Sequence, residues 1–118
     1  MYPWGASFSW EMGAVTKSTG GTHGTFKVGT HPAGASPYGL MDMAGNVWEW
    51  CADWYHASYY DKSPERNPQG PAQDQWRVAR GGCFTSGALC FHCTHRGYKS
   101  PHIGNDHFGM RLCRDTSA

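Results

Sequence analysis

Three tryptophans stand within seven residues, Trp48, Trp50 and Trp54, inside the stretch PYGLMDMAGNVWEWCADWYHASYY that covers residues 37–60. Trp48 and Trp50 are two positions apart, which puts both indoles on one face of a β-strand. Val47 and Tyr55 extend the apolar block, and the five residues together are expected to form the core. The rest of the chain offers little regular helix to pack against them. It holds sixteen Gly and seven Pro in 118 residues. No 3.6-residue periodicity runs through residues 1–36, where GG at 20–21 and PAG at 32–34 signal turns. Residues 61–75, DKSPERNPQGPAQDQ, have the composition of a surface loop. WRVARGG reads as a short strand running into a Gly turn, and FGMRLCR as a last strand. The expectation is one loop-rich α+β domain over residues 1–118.

Charge and composition exclude several classes of function. With 39% apolar residues and a net charge of +1, the chain reads as soluble and globular. No apolar run approaches the length of a membrane span, so no membrane insertion is expected. A near-neutral balance carries no electrostatic footprint for nucleic acid. The opening MYPWGASFSW lacks a charged segment followed by an apolar one, so no secretory signal is expected. Five cysteines, an odd number, leave at least one thiol unpaired, and reduced thiols are the expectation for all of them.

GLMDMAGNVWEW, followed by RVARGG and FGMR, resembles the formylglycine-generating-enzyme-type domain, a variant of the C-type lectin-like fold. YPWG at 2–5 and FKVGTHPAGASPYGL at 26–40 agree with the same family in order and spacing. Domains of that family carry a long portion before YPWG, so the resemblance implies a minimal or N-terminally truncated version. It also implies a structural calcium site at Asp42, Gly45, Val47 and Glu49. A hard cation takes six to eight oxygens, and this turn offers two carboxylates seven residues apart with carbonyls between them. The alternative is that Asp42 caps a turn while Glu49 pairs with Arg80 or Arg111.

The formylglycine-generating enzymes hold copper with two cysteines five residues apart, closely following a GGS turn. Here the separations are seven, Cys83 to Cys90, and three, Cys90 to Cys93. Relatives that make sulfur–histidine compounds add an iron-binding domain that this sequence lacks. An enzyme is therefore not expected. A metal-dependent enzyme or zinc protein of the same fold stands as the alternative, because CFHCTHRGYKSPH at 90–102 is rich in Cys and His. Zinc motifs normally show two paired knuckles; this stretch has one. A thiolate nucleophile needs a neighbouring base or cation, and nothing in the sequence selects one cysteine for that role.

A different regularity covers the whole segment. The 27 residues from Cys83 to Gly109 contain no Trp, Met, Glu or Gln and one Lys, Lys99, whereas residues 1–82 contain nineteen of these five types. They are the types that codons ending in a pyrimidine cannot encode. The window resembles the variable region of diversity-generating-retroelement proteins built on this fold, in which adenines of Asn codons are randomised within a constant frame. RVARGG, Arg96, Pro101 and FGMR match that frame. The resemblance implies a ligand-binding protein whose hypervariable surface comprises Phe84, Thr85, Ser86, Gly87, Leu89, Cys90, His92, His95, Gly97, Tyr98, Lys99, His102, Asn105, Asp106 and His107. Phe84, Leu89, Phe91 and Tyr98 are candidate apolar anchors, with core packing the alternative for Phe91 and Phe108. Arg80 and Arg111 are expected to be buried anchors of the frame. The partner implied is a protein or cell-surface molecule, and the location cytoplasmic or phage- or surface-associated.

Overall fold

The computed structural model describes residues 1–16 and 24–115; the paired glycines at 20–21 lie outside them. A four-stranded sheet is built from β1 (Trp48–Tyr55), β2 (Trp76–Arg80), β3 (Gly97–Lys99) and β4 (Phe108–Gly109), in the order β3-β2-β1-β4. β2 runs antiparallel to both β1 and β3, and β4 lies parallel to β1. Trp50 pairs with Ala79 and Trp54 with Arg77, so β1 takes four steps where β2 takes two and bulges between them. Among the described residues helix is of the 3-10 type, with turns at Trp10–Met12, Pro32–Gly34, Tyr59–Asp61 and Ala88–Phe91. Outside residues 46–63, which supply β1, no run of more than nine residues is free of Gly and Pro. Residues 61–75 form the expected irregular, mostly exposed loop. It is fastened where Gly70 N donates to the Tyr59 hydroxyl at 3.1 Å.

The core differs from the expectation. Trp48, Trp50, Trp54, Val47 and Tyr55 are only half-buried. The buried cluster is Val15, Ala44 and Phe91, with Tyr2, Trp4, Phe8, Trp10 and Cys90 packed against it. Residues that looked like punctuation in a Gly-rich N-terminal third therefore supply the aromatic half of the core. The cause is close backbone approach: Ala14 N donates to Ala44 O at 3.1 Å and Asn46 N to Ala14 O at 2.7 Å. Two chain segments joined at small residues leave no space for an indole. The β1 indoles instead lie along the sheet, where Trp48 and Trp50 both meet the ring of Phe108.

The last strand is shorter than FGMRLCR. Only Phe108 and Gly109 pair with β1, and from Met110 onward the chain leaves the sheet. A side chain rather than a ladder holds it there: Arg111 donates to both carboxylate oxygens of Glu49 (2.7–3.1 Å), to Met41 O at 2.8 Å and to Asp42 O at 3.2 Å. Arg111 is thus an anchor, but a surface one with a third of its side chain exposed (34%). Arg80 is half-buried and directs Nη1 to Cys93 O and His95 O, at 3.0 and 2.9 Å.

Candidate functional site

The window from Cys83 to Gly109 leaves β2 through the Gly81–Gly82 turn and is stitched to the scaffold at several points. Phe84 N donates to Asn46 O and Thr16 N to Phe84 O, both at 2.8 Å. The 3-10 turn Ala88–Phe91 drives Phe91 into the core, where 2% of it is exposed. Cys93 N donates to Met1 O at 3.0 Å, Arg80 clamps two carbonyls as described, and β3 returns the chain to the sheet. This pinning leaves a mixed set of side chains outside.

Thr85, Gly87, Leu89, Tyr98, His102, Asn105 and Asp106 are exposed, while Ser86, Cys90, His92, His95, Gly97, Lys99 and His107 are half-buried. Two positions are not available for display. Phe84 is buried (5% exposed) and stacked on His107, because its backbone is held on both sides by the bonds to Asn46 and Thr16. At Gly97 an added Cβ would lie 2.8 Å from the Trp48 ring, so a side chain there meets the indole. Phe91 packs in the core, whereas Phe108 is half-buried against Trp48 and Trp50.

The Cys/His stretch does not converge. His92 Nε2 lies 3.0 Å from the Tyr2 hydroxyl, His95 leans on Trp48 with ring centroids 5.8 Å apart, and His102 is exposed. All five cysteines are free. Among the described residues no group of three or more His, Cys, Asp or Glu is placed to hold a metal ion. Burial pushes the Cys51 thiol up, against the opposing pull of Arg80, which keeps it protonated and a poor nucleophile.

The exposed aromatics extend beyond the window. Tyr98 is stacked on Tyr55 (4.1 Å between centroids) and on Trp76 (4.7 Å). Arg96, assigned to the frame, lays its guanidinium over Tyr55 at 4.9 Å and Tyr60 at 4.0 Å. Tyr60 and Trp76 are 58% and 40% exposed. Sequence reading missed Tyr60 and Trp76 as site residues, since they lie outside the compositional window. The strand register, Tyr55 opposite Trp76, brings Trp76 to Tyr98, and Arg96 links Tyr60 to the same strip through Tyr55.

The turn at 42–49 borders a cavity of about 490 Å³ that Asp42, Val47 and Glu49 line. Gly45 does not line it; its N–H is bonded to Gly81 O at 2.8 Å. Asp42 accepts from Gly29 N through Oδ2 at 2.8 Å, and its other oxygen, Oδ1, is buried with no hydrogen-bond partner. Glu49 pairs with Arg111, the second of the two partners foreseen; Oε1 accepts two hydrogen bonds from it and Oε2 one, which leaves Oε2 a lone pair. A buried orphan carboxylate oxygen beside a second carboxylate fits a hard cation.

The model of the sulfatase-modifying factor enzyme 1-like domain matches residues 1–116. This chain belongs to that family. Among relatives of the sulfatase-modifying factor type, the formylglycine-generating enzyme of Thermomonospora curvata is 33% identical over 97% of this chain and 43% of its own length. A Chlamydia caviae protein named serine/threonine-protein kinase pkn1 is 48% identical over 68% of this chain and 13% of its own length. The chain thus spans less than half of either relative. Among solved structures, Treponema denticola variable protein 1 superposes with a TM-score of 0.73 and 30% identity over 85% of this chain and 34% of that one. The fold is the C-type lectin-like fold of the formylglycine-generating type, loop-rich and with few helices, and the resemblance to a retroelement-diversified variable protein holds. The family includes enzymes, but this member does not reproduce the copper-holding cysteine spacing: Cys83 is buried against Ser86 and Thr85, and Cys93 is exposed.

Proposed function

We propose that the chain is a ligand-binding domain whose exposed positions between Cys83 and Gly109 form an exchangeable face on a fixed sheet, and that its ligand is a protein or cell-surface molecule. The observation that carries the reading is the division of labour inside one window. Phe84, Phe91 and Gly97 hold the backbone, while Thr85, Leu89, Tyr98, His102, Asn105 and Asp106 face solvent. Loops on a rigid scaffold are where binding residues concentrate, and exposed Tyr beside small polar residues is the composition of antibody paratopes. The likeness to a variable protein supports the same conclusion.

The test is a library with Thr85, Leu89, His102, Asn105 and Asp106 randomised together, panned against hen lysozyme as a defined target. Its members are expected to melt close to the parent, since surface substitutions usually cost less than about 0.5 kcal/mol each, and selected members to bind lysozyme saturably. A library that unfolds as a whole would refute the reading.

We also propose that Asp42 and Glu49, with the Val47 carbonyl, hold a structural calcium ion. Bound calcium would link the 42–49 turn to Arg111 and the chain end, a role in stability rather than chemistry. Support comes from the orphaned Asp42 oxygen. A ligand that binds only the folded state stabilises it by about 2.7 kcal/mol at a hundred times its Kd. Melting in millimolar calcium is expected to exceed melting in EDTA, and Asp42→Asn to erase the difference. Equal melting in both conditions would remove the ion from the account.

A further inference from the structure

Next to the aromatic strip, the segment after β1 folds back over the sheet and encloses a second, smaller cavity of about 190 Å³. That is the liquid volume of about six waters. Its wall carries one carboxylate, Asp53, and two guanidinia, Arg80 and Arg96, between the rings of Trp54 and Tyr59. Asp53 is half-buried and, among the described residues, its carboxylate has neither a hydrogen bond nor an ion pair. Carboxylate and guanidinia thus face one space without reaching each other. Arg80 commits Nη1 to the Cys93 and His95 carbonyls; Arg96 commits Nη1 to His56 O at 3.4 Å. Both keep further N–H donors. The Tyr59 hydroxyl accepts from Gly70 N and keeps its own proton to donate.

The Asp53 oxygens stay within reach of solvent, so a ligand has to replace that water by offering a charge to each side of the cavity. An anion alone leaves Asp53 without a partner, and a cation alone leaves two guanidinia. We infer that this cavity binds a small zwitterion: a primary ammonium on Asp53, a carboxylate on Arg96 and Arg80, and a short carbon chain against Trp54. The volume limits the ligand to the size of a simple amino acid. Asp53, Trp54, Tyr59 and Arg80 lie outside the variable window, and Arg96 lies within it as a residue of the frame, so none of the site is among the residues proposed for display.

The test titrates the whole chain with glycine, β-alanine and γ-aminobutyrate, following the Trp54 indole N–H by NMR. Propylamine, propionate and inorganic phosphate serve as single-charge controls. One zwitterion is expected to shift the signal saturably, with a Kd at least about tenfold below every control, a difference of about 1.4 kcal/mol. Asp53→Asn and Arg96→Gln are each expected to weaken it at least about tenfold, with the melt confirming the fold. If Asp53→Asn does not fold, Asp53→Glu replaces it and is expected to move the preference to a chain one carbon shorter. Propionate or phosphate binding as tightly as the zwitterions would make this a plain anion site and overturn the inference. So would the lack of a saturable shift up to about 10 mM, a concentration that reveals even millimolar affinity.

Discussion

Phe91→Ala is expected to destabilise the protein by about 3–5 kcal/mol, while Leu89→Ala, two residues earlier in the same short turn, stays within about 0.5 kcal/mol of the parent. Phe91 is 2% exposed and Leu89 is 74% exposed. The Phe91 ring lies between Phe8, at 6.4 Å, and Trp10, at 6.3 Å, so removing it empties the centre of the N-terminal aromatic cluster. Native domains are stable by only about 5–15 kcal/mol, and a loss of this size removes a large share. Urea denaturation of both variants, with unchanged slope, measures the difference. Similar small losses at the two positions would mean that the window does not help to build the core.

Gly45→Ala is expected to cost about 2–5 kcal/mol, from two causes that act together. Gly45 has φ +83°, in the left-handed region, where an L side chain costs about 1–2 kcal/mol. A Cβ there would also stand 2.5 Å from Ala14 O and 2.8 Å from Ala14 C. Those atoms are backbone and cannot swing aside, so overpacking adds about 1–3 kcal/mol. Gly104→Ala is the control, with nothing within 4 Å of the added methyl, and is expected to be neutral to within about 0.5 kcal/mol. Thermal melting of both variants decides; equal melts would show that the Ala14–Gly45 contact is not tight in solution.

Much of the frame was legible in the sequence because it rests on short-range chemistry. The period-two indoles gave β1, the Gly-terminated WRVARGG gave β2, and the Pro-rich run gave the exposed loop. Glu49 with Arg111 was one of two pairings available to that carboxylate. The core was not legible, because it depends on which backbones touch. Nothing local distinguishes Ala14, Ala44 and Gly45 from other small residues, yet their contact excludes the indoles and admits Phe91. Within the window, composition marked the segment but not the burial of Phe84 or the indole packed over Gly97. The partners of Tyr98, namely Tyr55 and Trp76, come from strands whose register fixes them, and a one-residue slip would send them to the other face. Their signal was in the pairing, which sequence alone does not contain.

Sequencing the gene from many cells of one population bears on whether the window is a changing face on a constant frame. The structure leads to codon differences concentrated at exposed positions such as Thr85, Leu89, His102, Asn105 and Asp106, with Phe91, Gly97, Arg96 and the RVARGG and FGMR flanks constant. A near-identical second copy of the window beside the gene is expected as well. A window as uniform as residues 37–60, or one that varies at Phe91 and Gly97 as often as at Thr85 and His102, would contradict the account.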